Sequence, residues 1–448
     1  MLSTIPLVVN SLADSGVGTL RDAITVADKG AITNPTNQYV ISFKSGLSGA
    51  INLTQTALPD LAANITIKGP GETNLTVERV STAPDFSVFT VDSGETVSLS
   101  GMTISGGNDF DGGGIYNHGT LTAKNITFTD NSAIHVNLLL GGGGIGNYGT
   151  ATVIGSTFTD NSAELGGGIF NNGHMTVSNS TFANNTGYDD GGGISNSGIL
   201  TVSNSVFSND ISELPGLSES GGGGGIDNTG ILTVSNSVFS SDSAGGNGGG
   251  IVNGGTLTVI RSTFTGNTGW NGGGINNYGA TLTVSGSTFS NNVAEGHFGG
   301  GILDEAAGTS TVSDSSFTDN TAANHGGGIS GGGTVIDSTF TGNSAPYGGG
   351  IYNDDTLTVT DSIFISNSAL NDGGGIFSES TLIVKKSTFT DNSATDGGGI
   401  YNVGTATVKK STFTDNSAID GGGIYNLGTL INKKNVFFDN TGGDIYPS

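Results

Sequence analysis

The chain has 448 residues, a formal net charge of −25, three arginines (Arg21, Arg79, Arg261) and no cysteine. So acidic a chain is not a general nucleic-acid binder, which needs Lys and Arg to displace counterions. Without cysteine there are no disulfides or thiolate metal sites, and no apolar run approaches the ~20 residues of a membrane helix.

Met1–Asn10 is too short and uncharged for a secretory signal. Thr19–Ala27 (TLRDAITVA) predicts an amphipathic helix, with Leu20, Ile24 and Ala27 on one face, Thr19 as N-cap and Asp22 three residues on. Short strand-like runs follow at Tyr39–Phe43, Ala50–Leu53, Asn64–Ile67, Asn74–Val77, Val88–Val91 and Val97–Ile104.

From Ile115 to Phe437 one pattern recurs thirteen times: Gly-Gly-Gly-Ile, a polar turn, Thr-Leu-Thr-Val, Ser-Thr-Phe and Asn. The distance from the Ile to the Phe is 13 residues in ten of the thirteen copies, whereas from the Phe to the next Ile it ranges from 8 to 19. A strictly counted segment must stack in register on its neighbours, and the variable one is a surface loop. Within the counted segment Leu357 and Val359 alternate with Thr356, Thr358 and Thr360, which is strand periodicity. Coils of about 24 residues, with three short strands and Gly-rich corners, bury their Ile, Leu, Val and Phe only by stacking on the next coil. The predicted fold is therefore all-β, a right-handed parallel β-helix with an N-terminal capping helix. Residues 1–105 form the cap and first irregular coils, and residues 106–448 one continuous array.

Glycine supplies 80 residues, in register, for corners and close backbone approach. Asn recurs two after the Ile (Asn117, Asn147, Asn171, Asn353, Asn402, Asn426) and three after the Phe (Asn131, Asn161, Asn392, Asn416), which predicts hydrogen-bonded Asn columns. The helix is expected to cover the open edge of the first coil, and nothing comparable is expected to close the far end at Asp444–Ser448. A monomer with at most weak, salt-sensitive end-to-end association is expected.

The paired GGGI and FxxN motifs resemble the repeats of the chlamydial polymorphic outer-membrane proteins, with Gly where those repeats carry Ala. The wider pattern is similar to bacterial β-helix repeat proteins of the pectate-lyase-like superfamily. Gly18-Thr-Leu-Arg-Asp-Ala-Ile24 resembles the SLREAI-type motif that precedes such repeats. The resemblance implies a secreted or cell-surface protein, adhesive or structural, and carries over no catalytic residue.

Chemistry is sparse. Gly144–Gly149 matches GxGxxG without the strand–helix context that would give it meaning. The five histidines (His118, His135, His174, His297, His325) fall in different coils without ligand spacing. Asp372, Asp396 and Asp420 each precede a glycine triplet in consecutive coils, so a column of carboxylates is expected at ~4.8 Å spacing. With Asp391 and Asp415, that column is the candidate calcium site, the one cofactor the sequence offers. Lys385-Lys386, Lys409-Lys410 and Lys433-Lys434 offer neutralisation of those acids as the plainer reading.

Tyr352, Phe377, Tyr401 and Tyr425 follow the Ile in successive coils and predict an outward aromatic strip, with Trp270 and Tyr347 on the loops. Such a strip is a candidate glycan-binding surface, and stacked rings that merely stabilise the solenoid are the plainer account. Thr-x-Thr pairs such as Thr120/Thr122 and Thr405/Thr407 resemble ice-binding faces, and are also ordinary outward strand residues. The sequence thus points to a non-catalytic extracellular β-helix, adhesive or structural, with a polysaccharide or host-surface ligand as partner. The alternatives are a polysaccharide-degrading β-helix (lyase or glycosidase), an ice-binding solenoid or a fibre subunit.

Overall fold

The computed structural model describes residues 4–134, 141–213, 221–279, 281–305 and 310–447. These form a parallel β-helix of stacked coils, and α1 (Leu20–Thr33) is the only helix among the described residues. No helix among them is long and apolar enough to cross a membrane. The chain divides into two compact units, Met1–Glu213 with Gly225–Ile231, and Leu214–Gly224 with Leu232–Ser448.

The first unit opens with a strand, β1 (Thr4–Val9), in the segment that reads in sequence only as too short for a signal. It pairs in parallel with β2 (Gln38–Phe43), and α1 crosses between them. The helix packs on both strands. Leu20, Ile24 and Ala27 are fully buried against the same core as Val9 and Ile41, so α1 caps the first coil as expected. Thr19 caps the helix by accepting a hydrogen bond from Asp22 N (3.2 Å), and Asp22 Oδ2 accepts one from Gly18 N (2.8 Å). The helix runs on to Thr33, past the expected end at Ala27. Gly30 lies inside that extension because it packs on Tyr39: a Cβ there would clash with the phenol oxygen.

Each repeat coil then contributes to three parallel sheets. In the second unit, one coil runs from the glycine corner at Gly373 to Ile376–Ser378, then Thr381–Lys385 and Thr388–Thr390, and closes through a backbone bridge at Ser393. Ile376, Leu382, Val384 and Phe389 point inward and are fully buried. Phe389 stacks on Phe364 and Phe413 with centroids 4.7 Å apart, one step in a continuous Phe column. The triplet glycines do two jobs. Gly373, Gly397 and Gly421 hold φ of 69°, 66° and 62°. At Gly399 a Cβ would stand 2.5 Å from Gly423 O and 2.8 Å from the Phe413 ring, so stacked backbones leave no room for a side chain.

Both Asn columns form inside the coils. Asn117, Asn147, Asn171, Asn196 and Asn228 pass a side-chain hydrogen bond from coil to coil at 2.6–2.7 Å. In the second unit the FxxN column runs through Asn367, Asn392 and Asn416. Asn392 Nδ2 donates to Phe364 O (3.0 Å) and to Asn416 Oδ1 (2.9 Å). A parallel serine column, including Ser362, Ser387 and Ser411, satisfies further backbone amides at 3.2 Å.

Candidate functional site

Ile376 and Ser378 are fully buried, so strand alternation turns the residue between them, Phe377, to the other face, and Asp372 stands just before the same glycine triplet. Register stacks both into columns. Tyr352, Phe377, Tyr401 and Tyr425 pair in sequence as Cα partners. Their rings stack with centroids 5.4, 5.1 and 4.9 Å apart and planes within 8°. Beside them run Tyr347, Asp372, Asp396 and Asp420, linked by parallel bridges or pairing. The expected aromatic strip and acid column are therefore two adjacent columns of the second unit.

Their exposure differs along the strip. His325 lies 4.1 Å from the Tyr352 ring and Tyr347 sits edge-on 5.6 Å from Phe377, so Tyr352 and Phe377 are only 7% and 6% exposed. Tyr401 and Tyr425 are half-buried, as is Tyr347. Because the rings stack face to face, the strip offers edges and phenol oxygens outward rather than ring faces. Trp270 stands apart, 38% exposed and edge-on to His297 at 6.1 Å.

Electrostatics ties the columns together. Burial and then the Asp372 carboxylate push the Tyr401 phenol up to about 12, and burial and then Asp396 raise Tyr425. Asp372 is itself raised, by burial first and by Asp396 second. Polar oxygens of both columns thus line one edge, with the phenols as donors and the carboxylates as acceptors.

Asp391 and Asp415 lie on a different corner, at φ of 56° and 55° just after the Phe strand, and are exposed. Among the described residues no group of three or more His, Cys, Asp or Glu side chains could hold a metal ion. The lysine pairs do not neutralise the acid column either. Lys386 reaches Asp361 at 3.3 Å, and Lys385, Lys409, Lys410, Lys433 and Lys434 have no ion pair among the described residues. Two of the three arginines are committed elsewhere: Arg79 donates to Ala83 O, Pro84 O and Gly106 O and pairs with Asp85 at 2.6 Å, while Arg21 pairs with Asp14 at 2.6 Å. His118 packs 4.2 Å from Tyr116, His325 stacks between Phe298 and Tyr347, and His135 lies outside the described residues.

The first unit carries a feature that residue-by-residue reading misses. Ser195 and Asp227 occupy the outward column, in register, and Asp190 precedes its triplet. Ser195 Oγ donates to Asp190 Oδ2 at 3.2 Å, and Asp227 is only 7% exposed. Burial, then the Asp190 charge, pushes Asp227 well above the carboxylate range, and burial also raises Asp190. Aligning the repeats by their Ile would have shown Asp227 replacing the aromatic residue.

No curated protein matches the chain. Solved structures to which it is similar at low identity include the following three. The Azotobacter vinelandii mannuronan C-5 epimerase AlgE6 A-module shares 11% identity at TM-score 0.26, with 97% of this chain and 97% of that chain covered. The tailspike protein of E. coli bacteriophage HK620 shares 12% at TM-score 0.39, covering 95% and 76%. The catalytic domain of a GH87 alpha-1,3-glucanase shares 10% at TM-score 0.27, covering 98% and 69%. Closer to the repeat itself, residues 314–332, 337–354, 361–379, 386–403 and 410–427 each match the model of the Chlamydia polymorphic membrane protein repeat, so this β-helix is built, over those coils, from repeats resembling those of the chlamydial polymorphic membrane proteins.

Proposed function

We propose that the chain is a non-catalytic β-helix of the cell surface or extracellular space, an adhesive or structural module whose second unit binds neutral glycan along the Tyr401–Tyr425 edge. The match to polymorphic membrane protein repeats supports the surface location. The observation that carries the ligand class is the register of two columns: Tyr401 and Tyr425 stacked at 4.9 Å beside bridged Asp396 and Asp420. Phenol donors and carboxylate acceptors repeated every coil suit the vicinal hydroxyls of a sugar chain. The carboxylates, in a chain of net charge −25, disfavour an acidic glycan at this edge. The test is a glycan array probed with the parent and with a Tyr401→Ala, Tyr425→Ala double variant. Neutral-glycan signal should fall while the far-UV spectrum is unchanged. A parent that binds no neutral glycan, or a variant that binds as well, ends this reading.

A polysaccharide-cleaving function has one observation in its favour, the Asp190–Asp227 pair. A carboxyl whose pKa is raised by burial beside a second carboxyl is the arrangement of an acid and its partner in glycoside hydrolysis. Release of reducing ends from the same glycans, abolished by Asp227→Asn, would establish it.

A further inference from the structure

Six of the chain's ten lysines stand on one edge of three consecutive coils of the second unit, and the other four (Lys29, Lys44, Lys68, Lys124) lie in the first unit. Lys385, Lys409 and Lys433 are Cα partners in successive strands. Lys386, Lys410 and Lys434 form the next column, joined by backbone hydrogen bonds through the same coils. All are exposed except Lys409, which is half-buried. Like charges directly opposite in a sheet repel, and only Lys386 is relieved by an ion pair, with Asp361.

The backbone adds a second, independent cost. Lys386, Lys410 and Lys434 hold φ of 53°, 54° and 57°. The equivalent corner of other coils carries Asn125, Gly155, Asn179, Asn204, Asn236, Gly286, Asp314, Asp337 or Asp361, residue types that tolerate this conformation, and one isolated basic residue, Arg261. Folding alone would favour Asn, Asp or Gly at all three positions.

The geometry points to this lysine ladder as a binding site for a linear acidic polysaccharide, one bearing a carboxylate or sulfate on each sugar. The ladder presents one pair of ammonium groups per coil, every ~4.8 Å, so successive anionic sugars can each meet a pair. Condensed counterions released from the polyanion drive such binding. A nucleic acid is the poorer fit. The outward neighbours on the same strands are Ile383, Thr407 and Ile431, none of them an aromatic ring or an arginine that could take a base, and the exposed ring of Phe438 lies on the following strand of the last coil alone.

The experiment is affinity electrophoresis of the full chain through native gels containing polygalacturonate, its fully methyl-esterified form, or an oligothymidylate, at low ionic strength. Polygalacturonate should retard the protein, added salt should abolish the retardation, and the neutral ester should have no effect. A Lys409→Gln, Lys410→Gln, Lys433→Gln variant should bind roughly tenfold or more weakly. A Lys29→Gln, Lys44→Gln, Lys68→Gln variant, with the same change in net charge, should bind like the parent, as should the ladder triple Lys→Arg. Absence of retardation, equal binding of the ester, or equal loss in both Gln triples would overturn the proposal. Equal ladder-dependent binding of the oligothymidylate would overturn the assignment to a polysaccharide.

Discussion

Lys386 Nζ lies 3.3 Å from Asp361 Oδ2, at the one step where a column of left-handed corner residues changes sign. Asp314, Asp337 and Asp361 occupy three successive coils, and Lys386, Lys410 and Lys434 the next three, the amides of the first five donating to carbonyls of the following coil. Opposite charges meet only at that junction, and every other neighbour in this run is a like charge. The pair is mostly exposed, at 60% and 38%, so its own contribution is about 0–1 kcal/mol. What matters is the column around it, where both charge and backbone oppose the folded state.

Lys410→Asn follows directly. Asn keeps the corner, tolerates φ of 54° and removes one repulsive charge. Stability in urea should rise by about 1 kcal/mol, where most surface substitutions change it by under ~0.5 kcal/mol. The gain should shrink at high salt, where repulsion is screened but backbone strain is not. A loss of stability on this change would mean that the lysines support the fold through contacts of their own.

Asn392→Ala tests the buried ladder. Asn392 Oδ1 accepts from Asn367 N (3.0 Å) and Asn367 Nδ2 (2.9 Å), and its amide donates to Phe364 O and Asn416 Oδ1. Each buried polar group stripped of its partner costs about 1–3 kcal/mol, so the loss should reach roughly 3 kcal/mol or more. Asp391→Asn, one residue away and exposed, is the control and should stay within about 0.5 kcal/mol. A cost below ~1 kcal/mol at Asn392 would show that water readily replaces the ladder.

Much of this was legible in the sequence, and the misses share a cause. Strict counting from Ile to Phe placed Ile376, Leu382, Val384 and Phe389 inside, because only stacked coils hide them. The end of α1 was not legible, because a Gly at position 30 reads as a stop until Tyr39 is seen packed against it. The aromatic strip was legible as a column, but not its burial, since His325 and Tyr347 arrive from variable loops whose path no repeat dictates. The lysines were legible as pairs, but their partners were not. Lys386 pairs with Asp361 on the preceding coil, a neighbour that lies 25 residues away in sequence and shows only once the coils are stacked.

Asp210 is an irregularity of the ladder within the first unit. It stands where the first unit otherwise places Asn, is fully buried, and its Oδ1 accepts from both Asn185 N and Asn185 Nδ2 at 2.8 Å. Burial pushes its carboxyl well above the usual range, and the Asn185 hydrogen bonds only partly offset that. A raised folded-state pKa means that the native state holds a proton the unfolded chain has released. The stabilising contribution is therefore complete below the unfolded value of about 4 and is lost as pH rises through the folded one. Asp210→Asn keeps the acceptor and removes the charge. Its urea midpoint should exceed that of the parent at mildly alkaline pH, and the difference should narrow under acid conditions. Parallel pH profiles for the two proteins would rule out Asp210 as the titrating group.

The cap offers the last prediction. Leu20 and Ile24 are fully buried, on the helix face that covers β1 and β2, and Leu20 is the first residue after the Thr19 cap. Placing a carboxylate there forces a choice between burying an unpaired charge and lifting the helix off the coil. Lifting it exposes Val9, Ile41 and their neighbours, an apolar coil end bounded by the unpaired edge of β1. Leu20→Asp should therefore lower stability by about 3 kcal/mol or more and make the protein aggregate in a concentration-dependent way, whereas Val26→Asp, on the exposed face of the same helix, should do neither. Light scattering against concentration separates the two. A monodisperse Leu20→Asp protein with the parent's stability would mean that the first coil needs no lid.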